Sequence, residues 1–128
     1  MGSEAITRNI RVQVETEPDH SRTFPDRGHW FYLYTVTISN EGPETVQLLD
    51  RHWVITDGHG NVEEVRGAGV VGYQPTLEPS QSFQYTSGCP LPTSAGTMHG
   101  SYRLVTRDGE SFEVEIAPFH MTQVELIN

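Results

Sequence analysis

Gly67-Ala68-Gly69-Val70-Val71-Gly72 carries the G-x-G-x-x-G spacing that lets a backbone approach a pyrophosphate where a strand runs into a helix. Arg51 and Arg66, close by in sequence, would supply cationic charge to such a site. The fingerprint depends on the helix that follows, and Tyr73-Gln74-Pro75 closes one off within a few residues. The competing reading is a bend in a strand, where glycines accept positive φ without strain. Backbone N–H groups in such a bend could still hold an anion.

A second group joins His52, Asp57 and His59, with Asp50 beside them. Two ligands from a strand and one from the adjoining turn could hold a divalent ion. Their spacing matches no metal motif, and an Asx-type turn at Asp57 explains the same residues. Cys89 is the single cysteine, and no sequence neighbour activates it. His20, His29, His99 and His120 are scattered. No nucleophile elbow, P-loop or paired C-x-x-C occurs, so the expectation is a protein that is not an enzyme and needs no cofactor.

The elements that must position these residues read as strands. Ile10, Val12 and Val14 alternate with Arg11, Gln13 and Glu15. Trp30, Tyr32, Tyr34, Val36 and Ile38 share one face of a long apolar run, while Phe31 and Leu33 begin the other. Extended patterns recur over 45–56, 62–66, 82–86, 102–106 and 112–116, and Asp57-Gly58 and Asp108-Gly109 supply hairpin turns. Gln74 to Ser80, with two prolines, reads as a loop. About seven short antiparallel strands without helical spacing predict an all-β sandwich. Residues 1–128 fit one domain, within which residues 1–7 read as a disordered or vector-derived start.

Charge narrows the partners. The net charge is −9 and all 8 basic residues are arginines, which disfavours nucleic acid and anionic membrane. A lone cysteine and a start without signal-peptide features point to the cytoplasm. Another protein is then the expected partner, with Trp30, Trp53, Tyr73 and Phe119 as candidate anchors wherever they are exposed.

Several stretches resemble the bacterial ApaG (CorD-type) family: Arg51 to Gly60, Glu64 to Pro75, Phe83 to Gly88, Gly96 to Tyr102, and Phe112 to Ile116 with Phe119. Ser80 and Ser94 stand where the family pattern carries glycine and proline. The resemblance implies an immunoglobulin- or fibronectin-III-like sandwich without established enzymatic activity. It also implies a genetic link to cobalt tolerance and magnesium efflux, and a suggested nucleotide-binding role for the glycine segment. Related domains in an F-box protein and a polymerase-delta-interacting protein look like interaction modules.

Overall fold

Alternating side chains on a pleated chain place every second residue on one face, and the long central run obeys that rule closely. Tyr32, Tyr34, Val36, Ile38 and Asn40 are all buried, while their neighbours are not. The computed structural model describes residues 2–123. Its strands are β1 (Gly2–Thr7), β2 (Ile10–Pro18), β3 (Trp30–Asn40), β4 (Val46–Asp57), β5 (Val62–Ala68), β6 (Thr76–Leu77), β7 (Ser82–Leu91), β8 (Ala95–Thr106) and β9 (Ser111–Thr122). Two single 3-10 turns, His20–Arg22 and Pro25–Arg27, lie between β2 and β3.

All pairings are antiparallel. One sheet has the order β1-β2-β3-β7; the other runs β5-β4-β8-β9, with β6 pairing a short stretch of β4. The inner faces meet in one apolar core that includes Ile10, Val36, Leu48, Trp53, Leu104 and Phe119. Trp53 anchors it, with Tyr34 edge-on at 5.3 Å and Phe119 at 5.9 Å. The all-β antiparallel architecture expected from the residues is present.

The boundaries differ from the expectation in three places. Residues 2–7, read as a disordered start, form a strand: they pair with β2 from Gly2–Glu15 to Thr7–Ile10. The loop expected over 74–80 contains β6, where Leu77 pairs with Val46 and is buried. The flanking prolines hide so short a strand. Lastly, β7, β8 and β9 are longer than their alternating centres, because glycine, proline and bulges interrupt the pattern without ending the pairing.

A bulge in β4 matters most for function. The register against β8 slips between Leu48 and Asp50. Val46 and Leu48 face the core before the slip, and Trp53 faces it afterwards. The inner face therefore continues through Arg51, Trp53 and Ile55, while Asp50 and His52 turn outward.

Candidate functional site

Arg51 enters the inner face opposite Gly67 on one side and Tyr102 on the other. Its Nη1 donates to the Ala68 and Gly69 carbonyls at 3.0 and 2.9 Å. The guanidinium thus holds the end of β5 and the turn that follows. That turn is tight: Val70 and Tyr73 exchange N–H···O bonds of 2.8 and 2.9 Å around Val71 and Gly72. Gly69, Val71 and Gly72 have φ of +64, +43 and +86°. Positive φ at both Val71 and Gly72 is the signature of a type I′ turn.

This geometry settles the use of the glycines. The N–H of Gly69 donates to the Leu49 carbonyl, and those of Val70 and Tyr73 bond within the turn. A Cβ on Gly69 would lie 2.4 Å from the Tyr73 carbonyl oxygen. No helix follows the segment, and carbonyls rather than amides converge on Arg51. Arg66, on the outer face, has Glu64 at 3.6 Å. The structure thus brings Arg51 together with Gly67 and Gly69, but not in the manner of a phosphate loop.

The three residues considered for a metal do not converge. His52 Nε2 sits 2.7 Å from Glu64 Oε1 on the outer face of the β4–β5 pair. Asp57 lies five residues further along the strand, roughly 16 Å away by strand rise. Its Oδ1 accepts from the His59 and Asn61 amides at 2.8 and 3.0 Å. Partial burial works against ionisation there, yet those bonds hold the carboxyl below its usual range. Among the described residues no group of three or more His, Cys, Asp and Glu is placed to share an ion.

Of the four proposed anchors, Trp53 and Phe119 are core residues, 2% and 1% exposed, so they cannot anchor a partner in the folded chain. Their aromatic bulk fills the space between the sheets. Trp30 is partly buried against the same core. Tyr73 alone stands out, 61% exposed beside Val71 at 49%, with its ring 6.0 Å from Phe83.

What the residues did not reveal is how differently the two long sides of the sandwich are finished. On one side β9 is tied to β1 and β2. Ser3 Oγ donates to the Ala117 carbonyl, Thr7 Oγ1 accepts from the Glu115 amide, and Thr16 Oγ1 donates to the His120 carbonyl, at 2.7, 3.1 and 3.3 Å. On the other side none of the described residues pairs with β7 opposite β3. Asn40 N donates to Gln81 O, which sets the alternation of the β3–β7 ladder. Phe83, Tyr85, Ser87 and Cys89 then bond to β3, and the backbone groups of Gln84, Thr86 and Gly88 point away from it. Pro90, at the next outward position, has no N–H to leave unpaired.

Inside this open side lies a cleft of about 260 Å³ between β5 and β7, lined by Tyr34, Arg51, Trp53, Glu63, Ser87 and Cys89 among others. Tyr34 hydrogen-bonds Ser87, and the Tyr85 and Tyr102 hydroxyls bond to each other below. Burial pushes all three phenols above their usual value, which keeps them neutral. Burial likewise pushes the Cys89 thiol up to about 12. Trp53 Nε1 is a buried donor with no protein acceptor among the described residues. The sequence signals for this side were a ten-residue strand free of charge and a proline within it.

A sequence model of the ApaG domain matches residues 20–106. The chain belongs to the ApaG family. The ApaG protein of a Methylobacterium species is 53% identical over 118 residues, which is 92% of this chain and 91% of that protein. The ApaG protein of Afipia carboxidovorans is 50% identical over 122 residues, 95% of this chain and 94% of its own. A crystal structure of an ApaA protein from Bordetella pertussis superposes with a TM-score of 0.86 at 47% identity, covering 88% of this chain and 92% of that one. The ApaG fold is thus the frame in which the open β7 side and the Arg51-held turn are set. No helix in the described residues is long and apolar enough to cross a membrane.

Proposed function

We propose that this ApaG-family chain is a non-catalytic protein-interaction module that binds through the open side of its sandwich. The observation that carries the reading is the β7 edge, ten residues long, uncharged and, among the described residues, unpaired opposite β3. Exposed edges of this kind are normally blunted by charge, pairing or cover. The opposite side of the same molecule is tied off by three hydroxyl bonds, so the contrast lies within one fold.

Two further features support it. Val71, a β-branched residue, holds φ of +43° at an exposed turn tip beside Tyr73. Strain at an exposed apolar position is a cost to the free protein that contact with a partner would justify. Cys89, the one thiol, is buried and stays protonated at neutral pH, which argues against nucleophilic use.

Photo-crosslinking in the native cell tests the reading. A photoreactive residue at Thr86, on the open edge, is expected to give a discrete protein adduct, while one at Glu4, on the outer face beyond β2, gives none. Absence of adducts from Thr86, and from positions 71 and 73, would defeat it.

A further inference from the structure

The open side has depth as well as an edge. Side chains of a strand alternate between faces, so a chain laid along β7 would direct every second side chain toward the space between the sheets. The cleft occupies that space. We propose that β7 accepts an extended, net basic segment of a second protein as an added strand, and that one neutral amide side chain of that segment, Asn or Gln, enters the cleft. The inference rests on the interaction reading above and adds the partner's conformation and chemistry.

Backbone geometry gives the conformation. Gln84, Thr86 and Gly88 present N–H and C=O groups at every second residue, the repeat that a neighbouring strand satisfies. Pro90 ends the run of donors. At the other end, the turn carrying Tyr73 lies against Phe83 and marks the limit of the open stretch. The neighbouring edge, β5, carries Glu63, Glu64 and Arg66, charges of the kind that discourage strand addition.

Chemistry of the cleft gives the inserted side chain. Arg51 and Glu63 bring one charge of each sign, so the pair adds no net charge for an ion to neutralise, and a neutral side chain with a strong dipole suits the field between them. Among the described residues Trp53 Nε1–H lacks an acceptor, and the exposed Glu63 carboxylate lines the same cleft. An amide offers a carbonyl to the first and an N–H to the second, which neither an alkyl nor a charged side chain does. An unpartnered buried donor is costly to the free protein, and acquiring an acceptor returns that cost as affinity.

Net charge selects the rest of the occupant. At −9 the protein repels a second copy of itself and attracts a cationic segment. β7 contributes no charge of its own to oppose this.

Selection from a phage-displayed library of linear dodecapeptides on the intact chain tests the proposal. Enriched peptides are expected to be net positive and to share an Asn or Gln within an alternating pattern. Binding of the synthetic peptides should slow hydrogen exchange at the Gln84, Thr86 and Gly88 amides. Thr86→Pro, which removes an outward N–H and leaves the β3 ladder whole, should weaken binding about tenfold, the effect of one or two lost hydrogen bonds. Ser87→Phe, which fills the cleft and leaves the edge open, should remove the preference for Asn or Gln. Failure to enrich any peptide, enrichment of acidic or helical peptides, or unchanged exchange at the three amides would overturn the proposal, as would a dimer that protects the same amides. Adducts from Thr86 in the cell together with any of these results would leave the interaction reading standing and remove strand addition alone.

Discussion

The guanidinium of Arg51 occupies the place a side chain on Gly67 would need: a Cβ there would lie 2.9 Å from Nη2. The two residues are partners across β4 and β5, and the missing side chain of one admits the charged end of the other. From that position Arg51 reaches the Ala68 and Gly69 carbonyls. Gly67→Ala is therefore expected to dislodge the guanidinium and lower stability by about 1–2 kcal/mol, most of a charged hydrogen-bond pair less what water restores. Chemical denaturation checks the size. Thermal melting of the double variant with Arg51→Ala checks the mechanism, since the second change should add little to the first once the contact is gone.

Ser80 makes a prediction of the opposite sign. Its φ is +72°, held there because its amide donates to the Asn40 carbonyl at 2.8 Å just ahead of β7. A non-glycine residue in that region costs roughly 1–2 kcal/mol, and glycine gives back part of the gain as entropy of the unfolded chain. Ser80→Gly should raise stability by about 0.5–1 kcal/mol, or the melting midpoint by roughly 2–5 °C. An unchanged or lower midpoint would show that the Ser80 side chain makes up for the strain.

The same position shows what was legible in the sequence. The resemblance placed a glycine at 80, and the structure supplies the reason, a left-handed residue at the entry to β7. Alternation along Ile10 to Val14 and Trp30 to Ile38 gave the buried faces of β2 and β3, because regular pleating turns pattern directly into position. Beyond Leu48 the inference broke down. One extra residue in β4 turns Arg51 inward and His52 outward, and no local pattern announces a bulge. That single slip placed Arg51 in the cleft and left His52 beside Glu64, apart from Asp57 and His59. Trp53 and Phe119 show a different gap. Aromatic residues suit interfaces and cores equally, and only the facing sheet decides which. The open side of the sandwich was illegible for a third reason: whether a strand has a neighbour depends on chain order in space, while Pro90 and the lack of charge in β7 only permit an edge.

Cys89 ties stability to alkaline pH. Burial raises its thiol from the usual value near 9 to about 12. Below pH 9 folded and unfolded chains both carry the proton, and this group contributes no pH dependence. Between about 9 and 12 the unfolded chain has released the proton and the folded chain has not, so stability falls as pH rises through that window. The raised Tyr34, Tyr85 and Tyr102 hydroxyls act in the same direction at higher pH. Urea midpoints measured from pH 8 to 11 should fall more gently for Cys89→Ala than for the parent chain. Thiol reagents at pH 8 should modify the folded protein slowly and the urea-unfolded protein fast; equal rates would place the thiol outside the core.

Hydrogen exchange along β7 gives the most direct reading of the open edge. The Asn40–Gln81 bond fixes which residues of this strand bond to β3. Phe83, Tyr85, Ser87, Cys89 and Leu91 donate into the ladder and should exchange only as the sandwich opens. Gln84, Thr86 and Gly88 face away and should exchange close to the rates of an unstructured chain. In β3, which has neighbours on both sides, no such alternation is expected, and Phe31 to Ser39 should be protected throughout. Two-dimensional NMR after transfer to heavy water distinguishes the patterns residue by residue. Uniform protection along β7 of the free monomer would mean that another part of the chain covers the edge, and the open side would then be unavailable to any partner.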